Sequence, residues 1–197
     1  MAEVKKYVTP VFRLSFPALF EAESYDGGAA KYSLAAIWTP GKFSEPDKKR
    51  WRAILGALDA ESKKRFKKGL RELPGNYKKG IRDGSEKADL EGYGDGTKFA
   101  NLSTKMRPGV IGIDKEPISP EEANVDEIYP GCYCRATVSV YSYDNKGKGV
   151  SLGLFNVKKV GDGERLDSRT DAAEDFDDVE DDEFLDAEGD DTEDFLD

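Results

Sequence analysis

Residues Cys132–Tyr143, CYCRATVSVYSY, alternate along most of their length. Cys132, Cys134, Ala136, Val138 and Val140 share one face; Tyr133, Arg135, Thr137, Ser139, Tyr141 and Tyr143 share the other. A period of two held this long predicts an extended strand with a small apolar face turned inward. A strand buried on one face must be completed by other parts of the chain, so the pattern demands a sheet. Its outward face combines aromatics, an arginine and hydroxyls. Such a surface suits stacking of unpaired bases with charge for their phosphates. Tyrosine and threonine are also good strand formers whose cross-strand pairs stabilise any sheet, so the face alone leaves both readings open.

The rest of the chain supplies partners for that strand. Val11–Phe16 alternates Val11, Arg13 and Ser15 against Phe12, Leu14 and Phe16, and Pro17 is expected to end it. Tyr25–Ala30 (YDGGAA) reads as a turn, and Lys31–Thr39 as a second strand. Tyr32, Leu34, Ala36 and Trp38 lie on one side of it, and Lys31, Ser33, Ala35 and Ile37 on the other. Ser44, Pro46 and Asp47 then open a helix whose core face is Trp51, Ile54, Leu55 and Leu58. A second, strongly basic helical segment is expected over Ala60–Leu70, its charges facing either phosphates or solvent. Leu73–Gly96 is a long glycine-containing connection, and its length suggests a functional loop. Strands follow at Lys98–Thr104 and Val110–Asp114, then a short helix at Ile118–Val125 capped by Ser119. The long strand turns at Asp144–Gly149 and returns as Val150–Val160. The fold class is therefore mainly β with inserted helices (α+β), and short strands joined by turns suit an OB-type Greek-key barrel.

Charge divides the chain in two. Residues 167–197 hold 17 acidic residues and one basic residue, Arg169, leaving 23 acidic and 29 basic residues in 1–166. The overall net charge of −10 thus conceals a basic body and a polyanionic end. We expect one DNA-binding domain over 1–166 and a disordered acidic C-terminal tail over 167–197, where apolar residues are too few to build a core. Phe176, Phe184-Leu185 and Phe195-Leu196 stand out in that tail. They suit capture by a partner with a basic-rimmed apolar pocket, and the polyanion also suits the body's own cationic groove. A purely solvating tail is the remaining reading.

Several local patterns, in order, resemble the phage-encoded OB-fold single-stranded DNA-binding proteins. They are Arg13-Leu14-Ser15-Phe16-Pro17 with Phe20-Glu21, Lys31-Tyr32-Ser33, Ile81-Arg82-Asp83-Gly84, Arg107-Pro108-Gly109-Val110, Tyr129-Pro130-Gly131-Cys132-Tyr133 and Asn156-Val157-Lys158-Lys159-Val160. The resemblance implies an OB barrel, binding of unpaired DNA, and a C-terminal tail that contacts replication proteins. Members of similar type often end in phenylalanine, whereas here Phe195 is followed by Leu196-Asp197.

Sequence-independent binding needs stacking platforms and a cationic groove, not a catalytic group. The candidates for stacking are Tyr133, Tyr141, Tyr143, Tyr32 and Trp38, each with packing in the core as its alternative, Trp38 above all because Leu34 shares its face; for phosphates, Arg13, Lys31, Arg82, Lys98, Arg107 and Arg135; for partner binding, Phe176, Phe184, Phe195 and Leu196. The expected partners are single-stranded DNA and, through the tail, a polymerase, helicase or nuclease. Duplex binding and self-association stay open. No cofactor is expected. The chain has no histidine, and Cys132 and Cys134 have no second cysteine pair with which to complete a zinc site. They read as small buried residues of a reducing compartment. With no signal-like or membrane-spanning apolar run, the expected location is the cytoplasm of an infected host cell. Two rival classes remain: an acidic interaction protein (a DNA mimic or chaperone) with a scaffold body, and a nucleic-acid enzyme. The second lacks the clustered carboxylates or nucleophile–base pair that such chemistry requires.

Overall fold

The computed structural model describes residues 4–24, 27–121 and 125–167. The chain divides into two units, Met1–Asp167 and Ser168–Asp197, and the fold is that of the first. Its strands are β1 (Tyr7–Val8), β2 (Phe12–Glu23), β3 (Lys31–Trp38), β4 (Arg82–Asp83), β5 (Lys98–Thr104), β6 (Gly109–Ile111), β7 (Tyr133–Asp144) and β8 (Lys148–Gly161), with one helix, α1 (Glu45–Phe66).

The pairings close on themselves. β2 lies antiparallel to β3, β3 to β5 and β8 to β7, while β7 returns to β2 through Phe12/Cys134 and Arg13/Tyr133. The remaining seam, β5 to β8, is parallel and rests on one paired position, Ser103/Gly153. This order is the five-stranded Greek-key barrel of the OB type. β1 extends the sheet beside β7, β6 beside β8, and β4 caps the start of β5.

Inside the barrel, period two does what the sequence requires. Leu34, Ala36 and Trp38 of β3 meet Ala100 and Leu102 of β5, Cys134, Ala136 and Val138 of β7, and Val150, Leu152 and Leu154 of β8. A register shift between Thr137 and Val138 sets Phe155 apart and brings Val157 back into the core. Cys132 and Cys134 are buried free thiols, Sγ to Sγ 3.7 Å. Their mutual hydrogen bond lowers the Cys132 pKa and raises that of Cys134.

Three local expectations need correction. First, β2 does not stop at Pro17. Phe16 adopts a left-handed φ of 44°, and the β2–β3 register slips between Ser15 and Ala18. The bulge absorbs the residue that has no N–H to donate, and the strand continues. Second, the two expected helices are one helix of 22 residues. Ser44 caps it through the Asp47 amide, and no glycine or proline interrupts 57–66, so nothing breaks the helix before Lys67 enters the left-handed region at φ 60°. Ile54 and Leu58 are its buried apolar pair, whereas Leu55 is exposed. Third, Ile118 does not begin a helix. Its amide donates to the Val110 carbonyl (2.9 Å) and its side chain enters the core, which holds the backbone extended where Ser119-Pro120 would locally favour a helical turn. A short 3-10 turn forms instead at Val125–Glu127.

Candidate nucleic-acid interface

The outward faces of β3 and β5 carry small side chains where the barrel seam is thinnest. Ser33 and Ala35 of β3 and Asn101 and Ser103 of β5 floor an open groove of about 820 Å³. The β2–β3 connection rises on one side through Gly28 and Ala29, and the β7–β8 turn on the other through Asn145 and Lys146. In OB barrels this face and these two loops form the usual oligonucleotide-binding surface. Lys31, Lys87, Lys105 and Lys146 line it against one carboxylate, Glu23. Lys31, Lys105 and Lys146 are in no ion pair among the described residues. Such cations remain available to a phosphate chain.

The aromatic groups stand at the edges of this groove. The bulge at Phe16–Pro17 turns Phe16 outward, leaving its ring 55% exposed in the groove wall. Lys87 lies over the rings of Phe99 (4.9 Å), Tyr93 (5.4 Å) and Phe16 (5.7 Å), a cation–π cluster at the end of the long loop. Beyond the floor, Gly153 has no side chain to separate β8 from Tyr141. A Cβ there would sit 2.9 Å from Ser139 Oγ and 3.7 Å from the Tyr141 ring. Tyr141 is thus an exposed platform beside the Ser103/Gly153 seam, with Tyr143 next along the strand at 6.3 Å between ring centroids.

The other candidates fall elsewhere. Of the phosphate set only Lys31 lines this groove. Arg13 donates to the Glu164 carbonyl at 2.6 Å and ties the segment after β8 to the barrel. Leu166 N also donates to the Pro130 carbonyl there. Arg82 pairs with Glu86, Lys98 with Asp83, and Arg107 with Glu121 at 3.5 Å. The hydrogen bond from Lys98, with those from Ser85, holds the Asp83 carboxyl well below its usual range. Arg135 is a structural cation. It pairs with buried Asp47 at 2.6 Å and donates to the Thr9 carbonyl at 3.1 Å, joining β7 to the start of α1.

Trp38 leaves the stacking set for the core, the alternative its place beside Leu34 offers. Its ring is 1% exposed, edge-on to Phe12 and against Trp51 at 5.1 Å, with Nε1 donating to the Pro10 carbonyl at 3.3 Å. An indole held this way supports the core and does not reach bases. Tyr32 sits half-buried on the side of β3 opposite the groove floor. Tyr133 is exposed but lies eight residues along β7 from Tyr141, about 27 Å at strand rise. Phe176, Phe184, Phe195 and Leu196 lie outside the described residues.

Phe16, Lys87, Lys105, Asn145 and Lys146 were absent from the sequence-derived set. For Phe16 the signal was Pro17 itself, since a proline inside a strand marks a bulge and bulges re-aim side chains. Among the described residues no group of three or more His, Cys, Asp or Glu could hold a metal ion, and no helix is long and apolar enough to cross a membrane.

Comparison with known proteins places this geometry in context. Residues 5–185 match the family model described as the ssDNA-binding protein of Enterobacter phage Enc34. The chain is 33% identical over 172 residues to protein p50 of Acyrthosiphon pisum secondary endosymbiont phage 1, covering 85% of this chain and 90% of that protein. It is similar to the solved single-stranded DNA-binding protein from bacteriophage Enc34 in complex with ssDNA, with a TM-score of 0.69 and 25% identity over 82% of this chain and 89% of that one. With gp2.5, a single-stranded DNA-binding protein encoded by bacteriophage T7, it shares the fold, at a TM-score of 0.53 and 15% identity over 90% and 95% of the two chains.

Proposed function

Since the chain belongs to the family of the Enterobacter phage Enc34 single-stranded DNA-binding protein, we propose that it coats unpaired DNA, without sequence preference, during phage replication and recombination in the host cytoplasm. The observation that carries this reading is the groove over β3 and β5. Its floor is small and mostly polar, its rim holds four lysines against one carboxylate, exposed Phe16 stands in its wall, and exposed Tyr141 lies beside the adjoining Ser103/Gly153 seam. Each part has a task. The lysines release counterions as they take phosphates. The two rings offer π-faces to any base, which is why stacking tolerates sequence. The small floor residues let the sugar–phosphate chain approach the sheet. No step needs a bond to be made or broken, so the site does its work as a binder.

The acidic segment 167–197 completes the proposal. Its 17 acidic residues, tethered to a basic body, compete with DNA for the cationic groove. DNA that wins the competition releases the segment, whose Phe176, Phe184, Phe195 and Leu196 then recruit a replication polymerase, helicase or nuclease. What supports this part is charge and composition.

The test is fluorescence anisotropy of labelled oligothymidine, titrated with full-length protein and with 1–166 at several salt concentrations. The expected result is salt-dependent binding by both forms, tighter in the truncated one, with an unlabelled duplex competing poorly. Equal affinities would overturn the competition, leaving the DNA-binding groove standing. Absence of binding by either form would overturn the groove and favour an acidic interaction protein on a scaffold body.

A further inference from the structure

The groove does not end at a wall. Asn145, which lines its edge, also lines a second depression of about 640 Å³ on the far side of the β7–β8 turn, where Lys64 and Arg65 stand beside Tyr143 and the carboxylates of Glu61 and Asp144. Two faces of one turn therefore connect the groove to the C-terminal end of α1. The charge there is dense. Lys63, Lys64 and Arg65 occupy the last helical turn, followed at once by Lys67 and Lys68. The carboxylates are too few to neutralise them. Asp59 takes Lys63 at 2.7 Å, Lys64 only reaches Glu61 at 4.0 Å, and Arg65 and Lys148 share Asp144 at 3.5 and 3.3 Å. Lys64 has a side chain 82% exposed.

Cations near a helix C-terminus are also favoured by the helix dipole, and that alone would explain one or two of them. It does not explain the aromatic ring beside them. Tyr141 and Tyr143 are successive outward residues of β7, and they lead from the Ser103/Gly153 seam to the depression that Arg65 lines. An aromatic ring and an excess of cations over carboxylates thus recur together beyond the turn, as they do in the groove.

We infer that Tyr143 and the basic end of α1, chiefly Lys64, Arg65 and Lys68, form a second segment of the single-strand path. It takes the sugar–phosphate chain after it leaves the groove across Asn145. The inference rests on the groove binding DNA, and it sets the occluded length. A groove alone serves a few nucleotides, whereas groove plus helix end serves a site toward the long end of the range of about 4–16 nucleotides seen per OB fold.

Oligothymidines of about 5 and about 15 nucleotides separate the two segments. The probe variants are the triple Lys64→Gln, Arg65→Gln, Lys68→Gln and, for the groove, Lys31→Gln with Lys105→Gln. Glutamine keeps helix propensity, and thermal melting checks that both variants fold. The triple variant is expected to bind the short oligomer like the unmodified protein. On the long one it should lose about tenfold to a hundredfold, its salt slope falling by about 2 for three lost phosphate contacts at roughly 0.7 each. The groove variant should weaken both lengths. A triple variant that binds the long oligomer with unchanged affinity and slope would overturn the second segment alone. A groove variant unchanged at both lengths would overturn the groove itself.

Discussion

Removing the Asp47 carboxylate should separate what Arg135 does for the fold from what a cation does for DNA. Asp47 is 5% exposed at the first turn of α1. Its oxygens accept from Arg135 at 2.6 and 3.3 Å, from Arg50 at 2.8 Å and from the Val11 amide at 3.2 Å. One side chain thereby joins the helix, β7 and the link into β2. Asp47→Asn keeps the volume and removes the charge. Losing one partner of a buried pair costs about 3–5 kcal/mol. The Arg135 side chain is 26% exposed, so water recovers part of that, and about 3 kcal/mol is the expected loss. With a urea m-value of about 2 kcal/mol per molar, the unfolding midpoint should fall by about 1.5 M with unchanged slope.

The pH dependence supplies the sign. Burial alone would raise the Asp47 pKa, but the hydrogen bonds from Arg135, Val11 and Arg50 outweigh it, and the pKa is lowered. A carboxyl depressed in the folded state contributes stability that is full above its unfolded value, about 3.9, and is lost as pH falls through the folded one. The gap between the unmodified protein and Asp47→Asn should therefore be constant from pH 7 to about 5 and shrink below about 4. A midpoint change under about 0.3 M at pH 7, or a gap that persists undiminished at pH 2.5, would refute the account. The companion variant Arg135→Met should lose stability and, where folded, keep oligothymidine affinity within about twofold, because Arg135 is already spent on Asp47 and the Thr9 carbonyl.

Two further outcomes follow from the same geometry. Tyr141→Ala should lose about 1–3 kcal/mol of oligothymidine affinity, as removal of a stacking platform does, with little change in melting temperature because the ring is 41% exposed; unaltered affinity in an anisotropy titration would remove Tyr141 from the path. Trp38→Phe should lose about 1–3 kcal/mol of stability through lost volume and the lost Pro10 hydrogen bond. Its DNA affinity should stay the same, and a fall in affinity without a fall in urea midpoint would mean that the indole reaches bases.

Much of the strand layout was legible because it is local. β3 and β5 fall within a residue of where alternation places them, and β7 and β8 meet across the expected Asp144–Gly149 turn. The closure of the barrel was not legible. Phe12 pairs with Cys134 and Ser103 with Gly153, and no local pattern states either contact. The same distance hid the roles of the cations. Arg135 and Lys31 look alike in a sequence, but the carboxylate that engages Arg135 lies 88 residues away and nothing in the intervening pattern announces it. The helix expected at Ile118 is absent for a related reason. A capping serine and proline act locally, whereas the Val110 carbonyl and the core act across the sheet, and the tertiary contacts prevail.

The floor of the groove carries a signal of its own, which a reading confined to aromatics and cations passes over. Ser33, Ala35, Asn101 and Ser103 of the floor, and Gly153 beside it, occupy strand positions where valine, isoleucine, threonine or an aromatic would normally serve a sheet better. A barrel that accepts weak strand formers at neighbouring outward positions gives up cross-strand packing there. A bound chain can restore that packing, because a nucleotide's sugar and base supply the bulk that these residues omit. Large side chains at the same positions would strengthen the empty barrel and fill the floor. The rings that remain, Phe16 and Tyr141, stand at the margin, where they can stack without blocking the approach. Searching the outward faces for aromatics finds the rim of such a site, and searching them for small residues finds its bed.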